Sequence, residues 1–148
     1  MSLAIPVSID DEIIRQFALF QRGKTEHQWL AYRLAGSDMN TLELADSGAK
    51  GDSYDAFVER ALVGNEPRFC FVHYSYDLES DGNRNKCVLI LWVPPKSGVR
   101  AKMIAASSRS VVKKTLGFGY GIELQASDKG EASSEAVLEM QVGFALKR

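Results

Sequence analysis

Residues 86–93 read KCVLILWV, apolar at every position after the lysine. A strand with one face in water alternates apolar and polar side chains; an unbroken apolar run has both faces covered. Pro94 and Pro95 then stop further pairing. A strand of this kind requires a sheet neighbour on each side and a layer of structure above and below. The chain must therefore supply both strands and helices for one core.

Strand partners are legible. RFCFVHYSY at 68–76 is rich in aromatic and β-branched residues. HQWLAYRL and NTLELADS form a hairpin through AGSDMN, and GIELQAS is a further strand. SGAKGDS reads as a loop, and DLESDGNRN as a polar turn between the two central strands. Helices are expected from an N-cap at Ser8, with Asp10, Asp11 and Glu12 in the first turn and Gly23 as terminator. Ser53 or Asp52 caps a short helix, YDAFVERAL. Residues 99–116 form a long one stopped by Gly117, and Ser133 caps the last. The order is α-β-β-α-β-β-α-β-α: an α/β (α+β type) domain, a central mixed sheet with helices on both faces. Residues 1–7 read as a flexible N-terminal tail, and the 148 residues as one domain.

Several function classes are excluded. The formal net charge of −1 gives no bulk attraction for nucleic acid. Cys70 and Cys87 sit in apolar runs and read as core residues, not a disulfide framework. His27 and His73 have no metal-ligand spacing. No phosphate loop or nucleophile elbow occurs, and GFGYG at 117–121 follows a helix, the reverse of a nucleotide-binding turn. No cofactor is expected. The start, MSLAIPVSIDDE, lacks a basic leader, so a cytosolic protein is expected.

One stretch stands apart. Residues 96–116 carry Lys96, Arg100, Lys102, Arg109, Lys113 and Lys114 and no acid. At roughly 100° per residue, Lys102, Arg109 and Lys113 fall within about 20° of one line. A solvated face usually mixes signs. Ala105, Ala106, Ser107 and Ser108 would let another surface approach closely. Such a helix suits an acidic protein groove or an anionic headgroup.

These residues also carry a resemblance. GNRNKCVLILWVPPKSGVRAKMIAASS resembles the ADF/cofilin pattern: a basic-x-Lys pair, a strand ending Trp-x-Pro, then Val-Arg-x-Lys-Met and Ala-Ser-Ser. SYDAFVERAL and QASDKGEASSEAVLE are similar to the family's flanking segments, so the likeness runs through the chain. It implies a single ADF-homology domain without catalytic residues, binding actin monomers and filaments and promoting depolymerisation and severing. Arg100, Lys102 and Met103 would open a helix that enters a groove between actin subdomains. Ser108, Arg109 and Lys113 would continue its face. The tail residues Ser2, Leu3, Ala4 and Ile5 would join them, with Asp128 and Glu139 as supporting acids. Arg84 and Lys86 match the pair used only against the second subunit of a filament. Lys102, Arg109, Lys113 and Lys114 would bind phosphoinositides, which block the actin site. A monomer in the cytoplasmic actin cytoskeleton is implied.

The chain departs from that pattern in places. Leu3 occupies the family's phosphoserine position, with Ser2 one step away. Met140 and Gly143 follow Glu139 where basic residues are usual, Ala105 replaces an aromatic, and the nuclear-localisation run is missing. EPRFCFVHYSY is similar to the glia-maturation-factor branch. A monomer-sequestering or debranching protein is thus the alternative within the superfamily, and a phosphoinositide-binding module the alternative outside it.

Overall fold

The computed structural model describes residues 6–78, 82–119 and 121–146, with the side chains of 76–78, 82–85 and 141–146 outside the description. Four helices and five strands follow the expected order: α1 (Asp11–Gln21), β1 (His27–Ala35), β2 (Thr41–Ala49), α2 (Tyr54–Ala61), β3 (Arg68–Leu78), β4 (Gly82–Trp92), α3 (Val99–Leu116), β5 (Ile122–Ala126) and α4 (Ser134–Leu146). Two short 3-10 turns, Pro95–Ser97 and Lys129–Ala132, precede α3 and α4.

The sheet order is β2-β1-β3-β4-β5. Every pairing is antiparallel except β4 with β5, which is parallel and has α3 as its crossover. The apolar run explains itself here. Val88, Ile90 and Trp92 point into one core with Trp29, Phe57, Cys70 and Val137. Leu89, Leu91 and Val93 point into a second, with Phe17, Phe20, Phe71, Val112 and Leu116. Helices α2 and α4 thus cover one face of the sheet, and α1 and α3 the other. Period-two alternation sends neighbouring β4 residues to different layers, and both layers are apolar. Cys70 joins the first core and Cys87 packs against the second, so the thiols lie on opposite faces and both are free. Burial pushes both up to about 12.

Several boundaries differ from expectation. The cap of α1 is Asp10, whose carboxylate accepts from Glu12 N–H at 2.9 Å, not Ser8. Ser8 instead bridges to Thr41 at the β2 edge, and Val7 packs against the second core. Val7, inside the expected tail, is therefore part of the packed fold. β2 continues through Ser47 to Ala49 where a loop was expected. β3 and β4 extend into the expected polar turn, to Leu78 and from Gly82, because backbone pairing continues past the apolar segment. Ser53 and Ser133 cap as expected, accepting from Ala56 N–H at 3.0 Å and Ala136 N–H at 3.2 Å.

The GFGYG segment is a helix stop. Gly117 adopts the left-handed conformation at φ 81°, where a Cβ would be strained. Its N–H and that of Phe118 cap the carbonyls of the last turn. Phe118 is buried, its ring 5.3 Å from that of Phe71.

Candidate functional site: the outer face of the crossover helix

Helix α3 begins at Gly98, behind the Pro95–Ser97 turn. Ile104, Ala105, Ser108, Val112 and Leu116 face the sheet. At roughly 100° per residue, the opposite face carries Val99, Met103, Ala106, Ser107, Ser110 and Lys114, and all six are exposed. Val99 is 76% exposed and Met103 64%, the most exposed large apolar residues described. Leaving such side chains adjacent in water marks a contact surface more than a solvated one.

The turn between β1 and β2 lies beside this helix. Arg100 Nη1 donates to Ser37 O at 3.4 Å. Between turn and helix runs a groove of about 840 Å³. Pro6, Asp38 and Asn40 form one side, and Val99, Arg100, Met103, Ile104 and Ser107 the other. Asp38, Asn40 and Val99 were not read from the sequence as site residues. Nothing local relates residue 38 to residue 100; only the register of the hairpin does. An apolar residue directly after a helix-starting glycine was the available signal for Val99.

The basic line of Lys102, Arg109 and Lys113 flanks the exposed stripe, about 80° from it on the side nearer β5. Lys113 Nζ donates to Glu123 Oε1 at 2.7 Å, and Arg109 Nε lies 4.0 Å from Glu123 Oε2. The helix has no acid of its own, but β5 supplies one. Lys102 and Lys114 have no ion-pair partner among the described residues.

Ser108 does not continue the outer face. It is 1% exposed, turned to the sheet, and its hydroxyl has no hydrogen-bond partner among the described residues. Of the four small residues, Ala106 and Ser107 face out, while Ala105 and Ser108 let α3 sit close on the sheet.

The remaining expected residues are dispersed. Asp128 follows β5 at the end of the sheet where α3 starts, since Ala126 pairs with Trp92. Its carboxylate accepts from Glu131 N–H at 2.9 Å, and Glu131 Oε1 accepts in return from Ser127 N–H at 2.8 Å and Asp128 N–H at 3.3 Å. These bonds, that of Ser127 N–H foremost, hold the Glu131 carboxyl below the usual range. Glu139 is exposed on α4, across the sheet from α3. Lys86 is half-buried on β4 opposite Tyr74, and Arg84 stands opposite Tyr76. At about 3.3 Å per residue, Lys86 is roughly 20 Å along β4 from the strand end that leads into α3. Arg84's side chain and the expected contacts Ser2, Leu3, Ala4 and Ile5 lie outside the described residues.

No group of metal-ligating side chains occurs among the described residues. The ring of His73 is within hydrogen-bond distance of Phe20 O at 2.7 Å from Nε2 and lies 4.4 Å from the Phe20 ring. What α3 presents is an exposed face, apolar at its centre and cationic on its flank.

Comparison with known proteins bears on what that face meets. Residues 6–140 match the family model described as cofilin/tropomyosin-type actin-binding protein. The cofilin of Ogataea parapolymorpha is 37% identical over 134 residues, 90% of each chain. Actophorin of Acanthamoeba castellanii is 26% identical over 133 residues, 90% of this chain and 93% of its own. Among solved structures, Streptomyces griseoflavus cofilin superposes with a TM-score of 0.76 at 25% identity, over 90% of this chain and 95% of that one.

Proposed function

Since this chain belongs to the ADF/cofilin family of non-enzymatic actin-binding proteins, we propose that it binds actin monomers and filaments through the outer face of α3 and drives filament depolymerisation and severing. The observation that carries this reading is the exposed pair Val99 and Met103, with Arg100 and Lys102 beside them and the groove to Asp38 alongside. Apolar centre and cationic flank suit a protein groove rimmed with acids. Arg84 and Lys86, at the far end of β4, are the second contact, made with the neighbouring subunit of a filament. Asp128 and residues 2–5 contribute to the first, and Glu139, across the sheet on α4, supports binding from outside the α3 face. Severing needs no chemistry. Binding one filament twist more tightly than another shifts the population toward it and loosens subunit contacts.

The protein works as a monomer in the cytoplasm. Phosphoinositide headgroups compete for the flanking cations of α3. Phosphorylation of Ser2 would bring about −1.5 to −2 charge to the same surface and weaken actin binding.

Co-sedimentation with filaments, joined to pyrene-actin depolymerisation, tests this. Arg100→Ala with Lys102→Ala should lower both monomer and filament affinity by at least about 10-fold. Arg84→Ala with Lys86→Ala should lower filament affinity alone. Met103→Ala removes a side chain whose full burial is worth about 1.5–3 kcal/mol. With roughly two-thirds of it now in water, the loss should be about 5- to 30-fold. Identical behaviour of the two double variants would sink the two-surface assignment. Monomer binding with no effect on filaments would turn the reading to sequestration.

A further inference from the structure

Glu123 is placed where it can govern the cations of α3. It stands on β5 opposite Leu89 of β4, so the sheet fixes its position. Its Oε1 accepts from Lys113 Nζ at 2.7 Å. Its Oε2 is closed off from solvent without a hydrogen-bond partner among the described residues, 4.0 Å from Arg109 Nε. The Lys113 side chain is only 25% exposed, whereas Lys114, one position on, is open to solvent. The cations of the helix therefore form two sets: Lys113 and Arg109 turned to an internal acid, and Arg100, Lys102 and Lys114 free of ion pairs among the described residues.

We propose that Glu123 is a built-in counter-ion that withdraws Lys113, its hydrogen-bonded partner, from anionic ligands. Multivalent phosphate ligands, whether inositol lipid headgroups or soluble polyphosphates, are then met by Arg100 and Lys102 at one end of the helix and by Lys114 at the other, about 18 Å away. The proposal rests on α3 as the working face and revises which of its cations answer to phosphate. The reason is a competition. To bind phosphate, Lys113 must give up a charge-assisted bond and leave a half-buried carboxylate whose other oxygen already has no hydrogen bond among the described residues. Lys102 and Lys114 give up only water. The line through Lys113 is about 80° from the Val99 and Met103 stripe, so the device acts on the cationic flank of the helix and not on its apolar centre.

The test uses the full chain, phosphatidylcholine vesicles doped with phosphatidylinositol bisphosphate, and soluble inositol hexakisphosphate as a second arm. Glu123→Gln frees Lys113 and should tighten vesicle binding about five-fold, the effect of one added basic side chain at an anionic surface. Lys102→Met should weaken it about five-fold. Lys113→Met with Glu123→Gln keeps the net charge and removes the pair, and should stay within about two-fold of wild type. This charge-conserving variant leaves no unpaired acid, so it decides the matter even if Glu123→Gln alone folds poorly. A gain for Glu123→Gln on vesicles alone, or in both arms, supports the proposal and separates a need for the bilayer from recognition of phosphate itself. No gain in either arm overturns it. A loss in the double variant as large as that of Lys102→Met also overturns it, because Lys113 would then touch the ligand directly. Filament pelleting is scored in parallel: wild type that fails to pellet sinks the actin reading while the anion comparison stands.

Discussion

Gly48→Ala is the most demanding test of how the hairpin is built. Gly48 pairs with Trp29 across β1 and β2, next to an irregularity in the register. A Cβ there would lie 1.9 Å from Trp29 Nε1, 2.4 Å from Cε2 and 2.6 Å from Cδ1. Comfortable contacts lie near 3.5 Å, so indole or strand must move by more than about 1.5 Å. The indole has little room to yield. It is fully buried, with the Phe57 ring 5.6 Å away and the Arg60 guanidinium 5.2 Å from its own ring centroid. Overpacking of this kind costs about 1–3 kcal/mol, and the depth of overlap puts this case at the upper end. At about 2–4 °C per kcal/mol, a drop in Tm of about 6–12 °C follows. Thermal and urea melts followed by circular dichroism read it directly. Trp29→Phe in the Gly48→Ala background should recover part of the loss, since the indole N–H has no hydrogen-bond partner to forfeit among the described residues. Gly119→Ala, which meets nothing within 4 Å, is the control. A Gly48→Ala protein melting within about 2 °C of wild type would refute the reasoning. Trp29 packs in the layer opposite α3, so filament affinity of the folded variant should not change.

Two further outcomes follow from buried polar groups. Ser108→Ala removes a buried hydroxyl that has no partner and should be neutral or stabilising by up to about 1 kcal/mol, measured by urea denaturation; destabilisation beyond about 1 kcal/mol would mean the hydroxyl is satisfied. The thiols of Cys70 and Cys87 are pushed up to about 12 by burial, against about 8.5 in an unfolded chain. The folded state thus holds its thiol protons at pH values where the unfolded chain releases them. That stability is fully present below about pH 8.5 and is lost as pH rises toward 12, at about 1.4 kcal/mol per pH unit per thiol. Urea melts across this range would show the slope, and native alkylation should be slow until unfolding.

The fold was legible where one physical signal dominated. The apolar run of β4 demanded two covered faces, and two cores cover it. Helix α3 was read as 99–116, stopped by Gly117, and its limits match. Signals failed where two residues of one type competed or where the deciding partner was distant. Ser8 and Asp10 can each cap; pairing of Ser8 with Thr41 and Asn40 leaves the cap to Asp10. The polar segment after β3 was read from composition, yet backbone pairing is indifferent to side-chain polarity and carries it on as strand. At the site, the basic residues were visible but their pairing was not. Glu123 is ten residues from Lys113 and on another element, so a helical projection cannot reveal it. Ser108 was grouped with exposed neighbours by residue size, while its angle on the helix turns it inward.

The parallel pairing of β4 with β5 has a thermodynamic consequence for recognition. The strands on either side of α3 in the chain are held side by side, and its inner face is locked by Ile104, Val112 and Leu116. The backbone of the outer face is thus held in place before any partner arrives. Little conformational entropy remains to be lost from it on association. The heat-capacity change of binding should accordingly match the apolar area covered at Val99 and Met103, with no added contribution from folding.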